Sequence, residues 1–247
     1  MIQPPRVLLL QARNFNDPML EHELNCFVQS SRLPRKAFQS VNMVVDTLEE
    51  SILSDADVVM VGGSGEYSVV KGGFSWHEPM LKLMRTVVRR KMPMFASCFG
   101  HQALMQSLGG SLFRDESQGE VGTFEITLNQ DGETDSVFGS LPKHFMAQLG
   151  HLDYVETLPQ EAINLAFSDL CSIQAVRLKG TSIVSTQFHP EMTVEAQLDR
   201  WFRYIELYRE PGESLEDAKE RARSICTASP ESSRLLRLFL ENELGYS

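Results

Sequence analysis

The residues with the clearest potential for covalent chemistry are a cysteine in the middle of the chain and a histidine–glutamate pair farther along. Cys98 follows a short apolar run and precedes a helical pattern, which is typical of a nucleophile on a tight strand-to-helix turn. A thiol needs a base to become the attacking thiolate, and the base needs an acceptor that fixes its ring. His189 and Glu191, separated by one proline, provide such a pair. The three residues predict a cysteine hydrolase or acyl-transfer site.

Two segments could supply the backbone donors that such a reaction requires. Gly100 allows a sharp turn, and the helix that begins there points N–H groups at the thiolate. The neighbouring N–H of Phe99 would face the oxygen that becomes negative during attack. The Gly-Gly-Ser-Gly sequence at residues 62–65 ends a predicted parallel strand, where α/β sheets place their sites, and its glycines predict unusual backbone angles. It is not a phosphate loop, because no G-K-[ST] follows.

The elements that must position these residues are short apolar strands alternating with helices. This alternation predicts βαβ units around a mostly parallel sheet. The predicted strands cover residues 7–10, 38–45, 58–61 and 93–96, and the helices cover 20–28 and 76–88.

The pattern changes in the second half of the chain. More strands follow Gly110, which predicts antiparallel pairs at one side of the sheet. The chain becomes helical from Val194, with breaks near residues 211–212 and 229–230. We expect one domain with a helical C-terminal appendage. The additional extended segments cover residues 123–128, 172–176 and 181–188.

Charge and hydropathy exclude several classes of partner. The formal net charge of −10 argues against nucleic acid, because phosphate binding needs clustered Lys and Arg. The one notable basic run, residues 89–91, is interpreted as the solvated end of a helix. No apolar run approaches the roughly 20 residues that span a bilayer, and no signal peptide precedes the first strand. No membrane association and a cytoplasmic location are therefore expected.

Cysteine and histidine spacing predicts neither a disulfide framework nor a metal site. The four cysteines are widely scattered without a C-x-x-C pair, and the six histidines form no H-x-H or H-x-x-x-H pair. His101 would follow Cys98 by three residues on a helix, so we interpret it as a core or supporting residue rather than the base. His151 with Asp153 either shapes the mouth of the pocket or is structural. The tryptophans, Trp76 and Trp201, are predicted to be core residues.

Three motifs occur together in the order and approximate spacing of the class I glutamine amidotransferases. They are residues 62–65, 98–102 and 187–191, and the chain resembles this family over residues 6–208. The resemblance implies an α/β, flavodoxin-like three-layer sandwich with a mostly parallel central sheet, some antiparallel edge strands and C-terminal helices. It divides the chain into an amidotransferase domain, residues 1–208, and a helical extension of the same domain, residues 209–247.

The resemblance also implies a reaction and roles for individual residues. Cys98 would attack the side-chain amide of glutamine, giving a γ-glutamyl thioester and ammonia, and water would then release glutamate. The N–H groups of Gly63 and Phe99 would form the oxyanion hole, Gln102 would contact the glutamine, and Gly122 would hold its amino-acid end. No cofactor is expected, because an amide is cleaved by addition and collapse. Residues 150–155 are similar to a Ser-His-x-Asp-x-Val stretch of the GMP synthase glutaminase branch.

The chain departs from the family pattern at three positions and lacks a synthetase domain. Ala96 stands where glycine is usual, Ser97 where an aliphatic residue is usual, and Ser64 where proline is common. A complete GMP synthase is not expected, because no ATP-pyrophosphatase domain is present. A glutaminase subunit that passes ammonia to a synthetase partner is one alternative. The others are a stand-alone peptidase acting on small γ-glutamyl compounds, as in plant γ-glutamyl peptidases with a similar C-terminal extension, and a binding or regulatory homologue without turnover.

Overall fold

A nine-stranded β-sheet forms the centre of the protein, with a two-stranded ribbon beside it. The computed structural model describes residues 3–115, 117 and 119–246. The strands are β1 (Val7–Ala12), β2 (Phe38–Asn42), β3 (Val58–Ser64), β4 (Met94–Ser97), β5 (Ser111–Arg114), β6 (Glu120–Leu128), β7 (His144–His151), β8 (Asp153–Thr157), β9 (Ala162–Phe167), β10 (Ala175–Leu178) and β11 (Ile183–Thr186).

Helices cover both faces of this sheet. Those in the second half of the chain follow the predicted breaks, because α6 ends before residue 211 and α8 begins after residue 230. The helices are α1 (Met19–Ser31), α2 (His77–Arg89), α3 (Phe99–Ser107), α4 (Gln130–Thr134), α5 (Val194–Arg203), α6 (Ile205–Tyr208), α7 (Leu215–Ile225) and α8 (Leu235–Leu244).

The strand directions confirm a mostly parallel sheet with antiparallel pairs at one side. The order is β2-β1-β3-β4-β11-β10-β9-β6-β7. The first five strands in this order pair in parallel, and each pairing beyond β11 is antiparallel. Only β10 and β6 therefore run against the others within the described sheet. β5 and β8 form the separate antiparallel ribbon.

Alternation along the strands builds three layers. In β1, Leu8 and Leu10 pack into the core that contains α2 and α3. Val7 and Leu9 point to the opposite face and pack into the core that contains α1 and α8. Because successive side chains of a strand point to opposite faces, a strand buried on both sides reads as a continuous apolar run. The flavodoxin-like arrangement of helices, sheet and helices is thus confirmed.

Predicted and observed strand bounds differ at several places, and at two of them a turn or tight loop is the cause. The strand expected to reach residue 45 ends at Asn42, because a turn begins there: the N–H of Val45 donates to the Asn42 carbonyl oxygen (3.1 Å). The segment expected over residues 172–176 is a strand only from Ala175. It is preceded by a tight loop in which the N–H of Cys171 donates to Oγ of Ser168 (3.1 Å). In both places the hydrogen-bonding requirement of a turn overrides the strand pattern.

Helices α7 and α8 of the C-terminal segment pack against the chain's own sheet. On one face, α8 lies against α1 and buries Phe239, whose ring meets that of Phe95 in β4 edge to face at 5.6 Å. At the antiparallel side, α7 crosses β6, and the N–H of Thr227 donates to Oγ1 of Thr123 (2.8 Å). Of these helices, α8 completes the core beneath the strand that leads to Cys98.

Replacing Phe239 by alanine should lower the free energy of unfolding by about 3–5 kcal/mol, because a fully buried ring would leave a cavity beneath β4. Phe15→Ala is the matched control: its ring is 78% exposed, so the expected change is below about 0.5 kcal/mol. Denaturant unfolding of both variants tests this expectation. Equal losses would contradict the role assigned to α8 in the core.

Candidate active site

Cys98 lies on a strained turn between β4 and α3. Its backbone angles are φ 49° and ψ −106°, in the positive-φ region that costs a non-glycine residue about 1–3 kcal/mol. The N–H of Cys98 still donates to the carbonyl oxygen of Thr186 in β11 (2.7 Å). Its own carbonyl oxygen accepts from the N–H of Gln102 (3.0 Å), which opens the helix. The sharp strand-to-helix turn predicted for Cys98 is therefore present.

Gly100 allows α3 to start directly above the sheet. A Cβ at this position would lie 2.8 Å from Cβ of Val61 and 3.0 Å from the Val61 carbonyl oxygen. Neither contact is tolerable, and the backbone oxygen cannot move without disturbing β3. The glycine thus serves a close helix–strand approach, which keeps the first turn of α3 beside the cysteine.

His189 and Glu191 form a buried pair next to the cysteine. The ring Nδ1–H of His189 donates to Oε1 of Glu191 (2.6 Å), and Oγ of Ser97 donates to the same oxygen (3.2 Å). Burial and the Arg200 charge disfavour a protonated ring, but Glu191 and the neighbouring Cys98 outweigh them and raise the pKa of His189. Burial opposes ionisation of Glu191, but His189 lowers the pKa of that carboxyl below its ordinary value.

A cavity of about 650 Å³ opens in front of Cys98. Phe99 and Gln102 line it beside the cysteine, and Val121 of β6 lines it from the antiparallel side of the sheet. Another part of the wall comes from the end of α6 and the segment that follows it. The other lining residues lie within 64–71, 150–153 and 206–211, together with Arg114.

Gln102 and Gly122, the two residues expected to hold a substrate, have different surroundings in the structure. The side-chain amide of Gln102 donates to the carbonyl oxygen of Asp153 (2.7 Å) and to Oε1 of Gln187 (3.1 Å), so its amide oxygen is the atom not used in these bonds. Gly122 has φ 132°, and a Cβ there would lie 3.1 Å from the carbonyl oxygen of Ile225 in α7. Glycine is therefore needed at position 122 because α7 packs closely against it, while the adjacent Val121 lines the cavity.

The glycine loop packs against the histidine, but its glycines are not explained by unusual backbone angles. Gly62, Gly63 and Gly65 all lie outside the positive-φ region, so that prediction was wrong. Space is the reason: a Cβ on Gly63 would lie 2.6 Å from Cε1 of His189. The N–H of Gly63 donates to Oε1 of Glu23 (3.1 Å), so in this structure it serves a buried carboxylate.

Buried charged residues that the sequence reasoning missed surround this loop. Arg13 and Glu23 pair at 2.7 Å with almost no exposure, and Arg200 contacts His189. They occupy buried positions just after β1, in α1 and in α5, so the available signal was a charge on an otherwise core-facing position. A buried charge without a partner is costly, and therefore such positions indicate a network.

The remaining histidines near the site are supporting residues. His101 is fully buried and shares a hydrogen bond with Oγ of Ser185 (2.8 Å), and burial lowers its pKa to about 3. His151 lines the cavity and forms a buried pair with Glu120 (3.0 Å). Trp76 and Trp201 are core residues, as predicted.

Two general features follow from the described part of the chain. Within residues 3–115, 117 and 119–246, no group of three or more His, Cys, Asp or Glu side chains is arranged to hold a metal ion. Over the same residues, no helix has the length and hydrophobicity needed to cross a bilayer.

Comparison with known proteins identifies the family. The family model described as glutamine amidotransferase class-I matches residues 30–205, which include the glycine loop, Cys98, His189 and Glu191. The chain belongs to this family. The match ends before the cavity wall at residues 206–211 and before α7 and α8.

This class I amidotransferase is similar to several curated relatives. The A-subunit of the glutamine-hydrolyzing GMP synthase of Methanococcus maripaludis is 29% identical over 147 residues, which are 60% of this chain and 71% of the relative. The protein of the same name from Sulfurisphaera tokodaii is 31% identical, covering 63% of this chain and 79% of the relative. Other Methanococcus proteins with that name match over 52% of their own length.

A solved structure confirms the fold over nearly the whole chain. The glutamine amido transferase of Methylobacillus flagellatus superposes with a TM-score of 0.73 at 18% identity, covering 98% of this chain and 95% of that one. At this identity the likeness concerns the fold, including the C-terminal helices.

Thiol labelling should single out Cys98. Burial raises the pKa of the other three thiols, to about 12 for Cys26, about 12 for Cys171 and about 11 for Cys226. Only Cys98 lines the large cavity. Iodoacetamide at pH 8, followed by peptide mass spectrometry, should modify Cys98 at least about 10-fold faster than the others, because only the thiolate reacts. Comparable labelling of a second cysteine in the folded protein would contradict this.

Proposed function

We propose that this protein hydrolyses the side-chain amide of glutamine through a γ-glutamyl thioester on Cys98. The supporting observations are the position of Cys98 in the wall of an open cavity and the buried hydrogen bond between Glu191 and His189, whose ring has a pKa that the neighbouring Cys98 raises. A nucleophile, a base and a group that orients the base are the components of covalent acyl-transfer catalysis. Membership of the amidotransferase family supplies the substrate class.

The proposed reaction takes place in two halves. His189 accepts the thiol proton while Sγ of Cys98 attacks the amide carbon, and collapse breaks the carbon–nitrogen bond as His189 protonates the departing ammonia. Water then loses a proton to His189 and attacks the thioester, which releases glutamate and restores the thiol. The N–H of Phe99 is the proposed donor to the oxyanion, since Phe99 borders both the cysteine and the cavity. The N–H of Gly63 would join it only after leaving Glu23.

The remaining parts of the proposal concern substrate and partner. We assign the amide oxygen of Gln102 and the backbone around Gly122 to the recognition of the amino-acid end of glutamine. The relatives named as GMP synthase components favour a synthetase partner that receives the ammonia. On this proposal the chain is the ammonia-producing component of a larger synthetic enzyme.

A second candidate function is supported by the size of the cavity. About 650 Å³ falls within the range of roughly 300–1,000 Å³ that suits drug-sized ligands, and it exceeds what free glutamine needs. A γ-glutamyl peptide would fill more of this space with the same chemistry at Cys98. The intact pairing of His189 with Glu191 disfavours the third alternative, a homologue without turnover.

Steady-state hydrolysis of glutamine, glutathione and γ-glutamyl dipeptides tests the proposal. Cys98→Ala should lower turnover by at least about 10³-fold, because it removes the nucleophile. Cys226→Ala, a buried cysteine outside the cavity lining, should keep wild-type activity. Fast peptide cleavage would favour the peptidase, and slow glutamine hydrolysis alone would favour the ammonia-producing component. Turnover that persists in Cys98→Ala would refute both.

Glu191→Gln should lower kcat by about 10²–10⁴-fold with little change in KM, because an amide neither stabilises the imidazolium nor enforces the same ring tautomer. The lowered pKa of Glu191 means that its carboxyl is ionised at neutral pH, so the loss should be seen there. Glu195→Gln, an exposed change nearby on α5, is the control. A Glu191→Gln enzyme of near wild-type kcat would remove Glu191 from the mechanism.

A further inference from the structure

Arg200 connects the histidine of the site to the glycine loop. Its side chain is 5% exposed and projects from α5. Nη1 lies 3.1 Å from Nε2 of His189 and 3.4 Å from Nδ1. Nη2 donates to the carbonyl oxygen of Ser64 (2.8 Å). One buried guanidinium therefore touches both the proposed base and the loop beside it.

The position of the guanidinium over the ring determines its effect on the charge of His189. Nη1 lies at similar distances from Nε2 (3.1 Å) and Nδ1 (3.4 Å), so it lies over the face of the imidazole and not in line with the lone pair of either nitrogen. Nδ1 carries the proton that goes to Glu191. A second proton, on Nε2, would place a positive ring against a buried positive guanidinium, so the arrangement favours a neutral His189.

Other charges around the ring act in opposite directions. Glu191 on the same loop and Cys98 on the β4–α3 turn favour a protonated ring, whereas Arg200 disfavours it. A small cavity beside Glu191 and Arg200 is also lined by titratable groups of α1 and of the residue that follows β1, and Tyr208 lines the large cavity. Those groups are Arg13, His22, Glu23 and Cys26.

The glycine loop at residues 62–65 leaves room for the contact between Arg200 and His189. A Cβ on Gly63 would lie 2.9 Å from Nη2 of Arg200, so glycine leaves room for the guanidinium. Lysine could supply the charge, but its single ammonium group could not contact His189 and the Ser64 carbonyl oxygen as the two nitrogens of a guanidinium do. Position 200 therefore has a geometric requirement as well as a requirement for charge.

We propose that Arg200 is a positioning residue that lies over the ring of His189, disfavours its protonation and fixes the Ser64 carbonyl of the glycine loop. This proposal rests on the proposed function, because it assigns His189 the role of base. When the thiol proton reaches Nε2, the ring becomes positive beside the Arg200 guanidinium, and the repulsion ends when that proton passes to the departing ammonia. Arg200 thus makes the imidazolium a better acid toward the leaving group.

The first test follows the ring of His189 without requiring turnover. Long-range ¹H–¹⁵N NMR of histidine-labelled protein reports the protonation of each ring nitrogen as pH is varied. The Cys98→Ala background is used because it removes the coupled titration of the thiol. In Arg200→Gln, which lacks the charge, His189 should stay protonated to higher pH than with Arg200 present. In Arg200→Lys, His189 should lose its proton at nearly the same pH as in the protein that retains Arg200.

The second test uses the pH dependence of kcat/KM on whichever γ-glutamyl substrate the wild-type enzyme cleaves. Loss of the proton shared by Cys98 and His189 gives the active form, so removing a nearby positive charge moves the acidic limb to higher pH. Arg200→Gln should lose several-fold more activity at pH 6 than at pH 8. Arg200→Lys should keep the acidic limb at its wild-type pH. It should lose activity at every pH, because lysine lacks the second nitrogen that donates to the Ser64 carbonyl oxygen. Arg203→Met, a 47% exposed arginine on the same helix, is the matched control.

The outcomes separate this proposal from the proposed function. Unchanged titration of His189 in Arg200→Gln, or wild-type kcat/KM in Arg200→Lys, would overturn the role of Arg200. The lysine variant alone decides the question if Arg200→Gln does not fold. Absence of turnover in the wild type would refute the proposed function, while the NMR titration would still report on Arg200.

Discussion

The strained backbone at Cys98 is the constraint on which the rest of the site depends. A φ of 49° is unfavourable for cysteine by itself, so surrounding contacts must impose it. Two of them do so: the N–H of Cys98 remains in the ladder with Thr186, and the missing side chain of Gly100 lets α3 begin directly above Val61. The parallel strands on both sides of β4 hold these contacts in register. Cys98 is thus presented to the cavity by the sheet itself.

Buried charges form a second layer of organisation behind this turn. Arg13 pairs with Glu23, and Arg200 joins His189 to the loop. Burying ions is costly unless every partner is well placed, so this arrangement tolerates little movement. The glycines of the loop provide the space: a Cβ on Gly62 would lie 2.5 Å from Glu23, and one on Gly63 would meet Arg200. The loop is rich in glycine because side chains from α1 and from α5 and its C-terminal end pass beside it, and at Gly62 and Gly63 these include charged groups.

How far the sequence predicts this molecule depends on the range of the interactions. The turn at Cys98 and the pair of His189 with Glu191 are local patterns, and the sequence is sufficient for both. The contact of Arg200 with His189 requires α5 to pack at one end of the sheet, which no local pattern encodes. Strand β7 was not predicted individually, because the buried polar Gln148 interrupts its apolar alternation. The apolar face of α8 predicts that it is buried. Only the fold shows that it packs against the central sheet beneath β4.

The wall of the cavity at residues 206–211 has a consequence for how this protein can change. That segment lies beyond the region that matches the family, and it is anchored from α7, where Arg221 donates to the carbonyl oxygen of Tyr208 (2.9 Å) and pairs with Glu213. Substitutions or length changes there can reshape the entrance while the turn, the histidine and the buried charges stay as they are. Part of the cavity wall is therefore encoded outside the part of the chain that carries the turn, the histidine and the buried charges. Selection can reshape that part of the wall without first altering the turn at Cys98.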